Sequence, residues 1–337
     1  MEFDLIARIR DRAGSRDDVV LGIGDDAAIL QVPVGYQLVV ATDTLNAGVH
    51  FPPDTAPADI GWKALAVNLS DLAAMAAEPA WCTLSLSLPD SDPAWVDAFL
   101  DGFLELAALH KVALVGGDTT RGPLSIGVTV HGLVEPGRAL RRDGAQVGDD
   151  VWVTGTLGDA AAALALLQQP PVPMVVACEA GPILSVGDEG GQATAALHAL
   201  RPRLDRPTPR VGIGRRLAGV AHAGIDVSDG LVADLRHICA ASGIGASLAV
   251  DDLPASPALS TAFGGDDRRQ LQSAGGDDYE LCFAAPVDMR DAVQAIAAES
   301  ATDITRIGTI TAGPGVTLRD REGVQWQPPS VGYEHFA

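Results

Sequence analysis

Between Lys63 and Glu78 the chain carries a single charged residue, Asp71, inside a run of small and apolar side chains. Ala66, Val67, Leu69, Leu72, Ala73 and Met75 flank it. The segment 58–78 reads as a helix, with Pro79 after its end. A helix this apolar belongs in a core, and it carries Asp71 inside with it. A buried carboxylate must be paired, be hydrogen-bonded or keep its proton. Lys63, two turns back, is poorly placed as a partner. A divalent cation is the simplest answer, and Asn68, one turn earlier, is placed to share it.

Other carboxylates recur beside glycines at predicted strand ends. They occur as Gly24-Asp25-Asp26, Thr42-Asp43-Thr44, Gly116-Gly117-Asp118, Asp226-Val227-Ser228-Asp229-Gly230 and Gly275-Gly276-Asp277-Asp278. One such pair alone is ordinary turn chemistry. Gly148-Asp149-Asp150 illustrates this, because it opens a strand and reads as structural. Together, Asp26, Asp43, Asp71, Asp118 and Asp226 offer more oxygen ligands than one Mg²⁺ uses. If they converge, the site holds several ions and binds ATP through metal bridges.

The chain has 337 residues, which predicts two domains. Hydrophobic residues make up 47 % of it, enough for large cores, and this excludes global disorder. The net charge of −21 disfavours a nucleic-acid function. Cys82, Cys178, Cys239 and Cys282 lie far apart, which argues against a zinc site or disulfide framework and for a reducing cytoplasm. The N-terminus has no basic and apolar leader pattern, so no secretory signal is expected, and no apolar run is long enough for a membrane span.

Strand and helix signals alternate, and the pattern is α+β in two lobes with a boundary near residue 148, giving domains 1–148 and 149–337. Strands are expected at 37–41, 82–88, 112–115, 124–134, 151–154, 307–311 and 315–318. Helices are expected at 93–109, 159–167, 207–221, 231–241 and 291–299. The stretch 168–192, rich in Pro, Gly and Val, reads as an inserted loop.

No standard nucleotide or hydrolase signature is present: neither lysine follows a glycine loop, and there is no GxSxG or HExxH. Gly155-Thr156-Leu157-Gly158 resembles a phosphate loop weakly and reads better as a tight turn capped by Asp159. Arg121, Arg138, Arg141 and Arg142 are candidate phosphate ligands.

Six motifs in order carry a resemblance: GIGDDAAIL (22–30), ATDTLNAGVHF (41–51), KALAVNLSDLAAMAAEP (63–79), GGDTTRGP (116–123), DVSDGL (226–231) and GGDDYELCF (275–283). With GYEHF (332–336) they span nearly the whole chain, which resembles the thiamine-monophosphate kinase family, related to aminoimidazole-ribotide and selenophosphate synthetases. The resemblance implies an N-terminal ATP-binding lobe that dimerises, a C-terminal α/β lobe, and a cytoplasmic homodimer. It also implies transfer of the γ-phosphoryl of ATP to thiamine monophosphate, with several Mg²⁺ ions, in thiamine diphosphate biosynthesis.

Carried over, Asp26, Thr42, Asp43, Asp71, Asp118, Asp226 and Asp229 resemble metal ligands, and Asp118, Asp226 and Asp229 the catalytic set. Gly117, Asp118, Arg142 and Ser228 resemble ATP contacts, and His50, Asp277 and Tyr333 substrate contacts. Asp277 stands where the family usually has Glu, which shortens its reach by one methylene. The acceptor is itself an ionised phosphate, so direct in-line transfer needs no strong base. Related synthetases are the nearest alternatives, although selenophosphate synthetase would want a reactive Cys near the N-terminus and the first here is Cys82. A non-catalytic cation-binding protein is the alternative from another class.

Overall fold

The computed structural model describes residues 2–168 and 189–333. Its described residues form two main sheets, a four-stranded one within 37–134 and a seven-stranded one within 150–326. The first has the order Gln37–Asn46, Ser125–Val134, Glu78–Leu88, Ala113–Arg121. Its last two strands are parallel, joined across the Pro93–Leu109 helix; the other pairs are antiparallel. A short hairpin, Val19–Leu21 with Ile29–Leu30, packs through Val19, Ala28 and Leu30 against Ala80, Trp81 and Ala113.

The second sheet is mostly antiparallel. At its centre Asp150–Thr154 lies between Ile304–Thr311 and Leu281–Ala285, and Ala223–Asp226 forms one edge. Asp150–Thr154, Leu281–Ala285 and Ala223–Asp226 are buried at every position, so they lack the alternation that marks a half-exposed strand.

The Pro57–Ala74 helix joins the two halves. It packs on the first sheet, on the Pro93–Leu109 and Val211–Leu217 helices and on the Ala223–Asp226 strand. One continuous core runs from Leu65, Leu69 and Leu72 to Trp152, Ile213 and Phe283. The contact with Pro93–Leu109 is backbone to backbone: a Cβ on Gly61 would overlap the Phe99 carbonyl, and one on Gly102 the Ala58 carbonyl.

Asp149 and Asp150 are structural, as expected. Asp149 accepts from the Gln146 amide at 2.8 Å and meets His222 Nδ1 at 3.0 Å. Asp150, 1 % exposed, accepts from Arg290 Nε and Arg306 Nε at 2.6 Å each. These hydrogen bonds, Arg290's first, hold its carboxyl below the usual range.

Two expectations are corrected. The helix read over 207–221 is confined to Val211–Leu217, because Pro207 and Pro209 exclude an earlier start and the chain turns at Ala218. The loop read over 168–192 lies outside the described residues at 169–188, and from Glu189 the chain is already the Glu189–Asp205 helix.

Gly102→Ala should lower the unfolding free energy by about 1–3 kcal/mol in a urea melt, because the added methyl overlaps backbone; no change would refute the close crossing. Asp150→Asn should cost about 2 kcal/mol at neutral pH. Because the folded pKa is depressed, that stabilisation is complete above the unfolded carboxylate pKa of about 3.9 and is lost as pH falls through the lower folded value. The gap between variant and wild type should therefore close in acid melts.

Candidate active site

Three carboxylates reach one cleft from different elements. Asp43 comes from the Gln37–Asn46 strand, Asp71 from the Pro57–Ala74 helix and Asp226 from the end of the Ala223–Asp226 strand. The cleft is about 470 Å³ and is also lined by Thr42, His50, Ser228, Asp229, Asp277, Tyr279 and Tyr333. Nine of the residues expected at the site therefore share one cavity: Thr42, Asp43, His50, Asp71, Asp226, Ser228, Asp229, Asp277 and Tyr333.

The electrostatics of this cavity are unfavourable to the empty protein. Burial pushes the Asp71 carboxyl up to about 8, and the charges of Asp226 and then Asp43 push the same way, while Arg142 opposes them. Asp226 is pushed up to about 6, first by burial and also by Asp43, again against Arg142. Asp43 is raised too, mainly by burial. Arg142 lies behind this cluster, lining a second hollow with Thr42 and Asp71.

Backbone donors fix where these groups point. Asn68 Oδ1 accepts from the Asp43 amide at 2.9 Å, and its Nδ2 donates to the Ala64 carbonyl at 3.0 Å. Both halves of the Asn68 amide are thus engaged with protein, and it orients Asp43. The Ser228–Gly230 loop is gathered by one atom: Asp234 Oδ2 accepts from the amides of Ser228, Asp229 and Gly230 at 3.0–3.1 Å. Asp234 sits in the first turn of the Leu231–Ser242 helix, and burial pushes it up to about 7. Sequence reasoning missed it, although an acidic residue in the first turn after a Gly-bearing loop was the available signal.

Of the other four expected residues, Arg142 lines the second hollow, and Asp26, Asp118 and Gly117 lie elsewhere. Asp26 is exposed, with its amide on Asp25 Oδ1 at 2.8 Å, and does not line the cleft. It lies in the loop of the short hairpin, which packs against Ala80, Trp81 and Ala113 of the first sheet. Asp118 is exposed and accepts from the Thr119 amide at 2.9 Å. Its strand is separated from Gln37–Asn46 by two others, so Asp118 and Gly117 stand on an open shelf of about 420 Å³ with Thr83 and Ser85. That shelf meets the cleft at Thr42 and Thr44. Gly117 is required both by its φ of +149° and by packing, because a Cβ there would overlap the Leu84 carbonyl.

The GGDDYEL loop (275–281) divides its acidic residues between two tasks. Asp277 faces the cleft, and the buried Lys63 ammonium donates to it at 2.9 Å. The pairing supports the view that Lys63 is no partner for Asp71. Asp278 is buried and accepts from the Gly158 amide at 2.9 Å, so the Gly155–Gly158 turn is closed by protein, with no free cradle for phosphate. Asp159 accepts from Thr156 Oγ1 at 2.7 Å and Ser256 Oγ at 2.6 Å, and it is Asp278 that takes the turn's amide. Glu280 is fully buried and accepts from Thr154 Oγ1 at 2.6 Å, Arg203 Nη2 at 2.7 Å and Arg210 Nε at 2.6 Å.

Among the described residues no three His, Cys, Asp or Glu side chains form a ready-made metal cage. The donor set still suits a hard cation, which keeps waters and phosphate oxygens in its shell and needs only one or two carboxylates per ion. The crowded Asp71 and Asp226, the first half-buried and the second buried, with pKa values raised by burial and by like charge, are the observation that favours this fit. Among the described residues no helix is long and apolar enough to cross a membrane.

Comparison with known proteins gives the same picture. Residues 24–134 match the N-terminal domain of the AIR synthase related proteins, and 187–321 their C-terminal domain. Thiamine-monophosphate kinase of Salmonella typhimurium is 47 % identical over 100 % of this chain and 98 % of its own. The crystal structure of thiamine-monophosphate kinase from Stenotrophomonas maltophilia is 56 % identical, covers 94 % of this chain and 96 % of its own, and superposes with a TM-score of 0.83. AaThiL complexed with AMPPCP and TMP is 32 % identical, covers 99 % and 96 %, and gives a TM-score of 0.74. With this identity sustained over its full length and both domain models matched in order, the chain belongs to the thiamine-monophosphate kinase family.

Proposed function

We propose that the chain transfers the γ-phosphoryl group of ATP to thiamine monophosphate, giving thiamine diphosphate and ADP. The observation that carries this reading is the convergence of Asp43, Asp71 and Asp226, from both halves of the chain, on one cleft that opens onto the Gly117–Asp118 shelf. A 32 % identical structure with an ATP analogue and TMP bound supports both substrates.

Each part of the site has a task. Asp43, Asp71, Asp226 and Asp229, with Thr42, offer the oxygens that would hold Mg²⁺, and Asp118 and Asp26 would join from the shelf and the hairpin only with nucleotide present. Bound Mg²⁺ supplies charge neutralisation between the two phosphate groups. Arg142 adds fixed positive charge beside Asp71 and Asp226. Asp234 holds the Ser228 and Asp229 amides in place before substrate arrives. His50 Nδ1 accepts from the Asn46 amide at 3.0 Å, so in the neutral ring the proton sits on Nε2 and makes it a donor. His50, Asp277 and Tyr333 surround the acceptor end of the cleft. The acceptor phosphate oxygen attacks phosphorus in line with the departing ADP oxygen, with no side chain phosphorylated in between. Trapping a phosphorylated side chain during turnover would contradict direct transfer.

The reading includes residues 1–148 as the nucleotide-binding and dimerising lobe and 149–337 as the second lobe. The Gln37–Asn46 edge strand exposes Leu38 and Val40, which supports a homodimer through that lobe. Buried free thiols at Cys82, Cys239 and Cys282 are in keeping with a cytoplasmic enzyme.

A coupled assay for ADP, offering thiamine monophosphate, thiamine and aminoimidazole precursors separately, tests the activity; turnover is expected with the monophosphate alone. Asp71→Asn should reduce kcat at least about 100-fold. Burial and two like-charged neighbours already favour a neutral group at this position, so the metal-free variant should melt no lower than wild type. Unchanged turnover would remove Asp71 from the site.

A further inference from the structure

We propose that Lys63 is a positioning residue for the acceptor substrate: one buried cation registers His50 and Asp277, drawn from the two halves of the chain, against each other. The inference rests on the kinase reading and assigns a role to a residue outside the phosphate and carboxylate machinery.

Lys63 lies on the Pro57–Ala74 helix with its side chain 2 % exposed. Its Nζ donates to the His50 carbonyl at 2.9 Å and to Asp277 Oδ2 at 2.9 Å. An ammonium group so deep requires acceptors, and both of these belong to residues that line the cleft. The two partners are separated by more than two hundred residues, so no local turn can set their spacing.

The neighbouring geometry shows how much is fixed through this contact. Asp277 has φ +68° and Tyr279 φ +50°, a backbone region that side chains other than glycine rarely adopt. Such conformations persist where the surroundings hold them. The Asp277 amide donates to the Ser228 carbonyl at 2.8 Å, and Tyr279 Oη donates to Asp277 Oδ1 at 3.2 Å. Lys63 takes the remaining carboxylate oxygen. On the other side, the His50 ring is held at Nδ1 by the Asn46 amide, and its carbonyl is held by Lys63. A donor from His50 and an acceptor at Asp277 are thereby kept at one spacing. Lys63 touches neither Arg142 nor the Gly117–Asp118 shelf, so its influence falls on the acceptor and not on the nucleotide.

The test is steady-state kinetics of Lys63→Gln with each substrate varied in turn. The expected result is a rise of about tenfold or more in KM for thiamine monophosphate, with KM for ATP within about twofold of wild type. In an Asp277→Asn background the same change should raise KM for thiamine monophosphate clearly less, because the charge that pairs with Lys63 is already lost. Equal rises in both KM values, full additivity, or no change would overturn the proposal. If Lys63→Gln fails to fold, Lys63→Arg replaces it: the charge is retained but the longer fork shifts both acceptors, and the same selective rise is expected. Wild-type inactivity on thiamine monophosphate would overturn both the activity and this role, whereas an active wild type without the KM split would overturn Lys63 alone.

Discussion

Burying the Pro57–Ala74 helix between two sheets is the constraint on which the rest depends. The helix is apolar enough to be buried over most of its length, yet it takes Lys63, Asn68 and Ser70 in with it and carries the half-buried Asp71 to the cleft. Three of these four have visible work. Lys63 ties two cleft residues together, Asn68 fixes the Asp43 amide, and Asp71 presents a carboxylate in a poorly solvated cavity. Glycines at 61, 102 and 214 let neighbouring backbones approach so closely that the helix has little freedom to shift. A rigid, dry support of this kind lets charged groups sit where water would otherwise screen them.

The acidic residues fall into two classes by their partners. Asp150, Asp278 and Glu280 are satisfied by arginines, hydroxyls and backbone amides, and they hold the fold together. Asp234 is likewise satisfied, by three loop amides. Asp43, Asp71 and Asp226 crowd one another instead, and Arg142 only partly offsets them. A protein retains such an unfavourable cluster where function uses it. A kinase with no lysine in a glycine loop has to meet the charge of its nucleotide by another route, and carboxylate-held cations are the route we propose.

The sequence was legible wherever the physics is local. The Pro93–Leu109 helix has the bounds its pattern predicts, and the isolated charge of Asp71 marks a carboxylate that is half-buried and crowded by like charge. Chain order could not reveal that two strands separate the strand carrying Asp118 from that of Asp43, because sheet order is set by packing over long distances. The fully buried strands at 223–226 and 281–285 escaped because they do not alternate, and the Glu189–Asp205 helix because its small residues and Pro202 give no clear apolar face. The Lys63–Asp277 and Arg210–Glu280 pairs join distant segments and leave no signal in either. The resemblance supplied the site roles, and the geometry sorts those residues into a shared cleft, an adjoining shelf, the hollow that holds Arg142 and the exposed hairpin loop that holds Asp26.

The central claim is that carboxylates from both halves of the chain grip nucleotide through divalent cations. Calorimetric titration of the intact protein with AMPPCP, once with Mg²⁺ and once with EDTA, tests it most directly. Saturable binding that appears with Mg²⁺ and disappears with EDTA is the predicted result. Equal affinity in both titrations would contradict the account, because nucleotide would then be held by the protein alone.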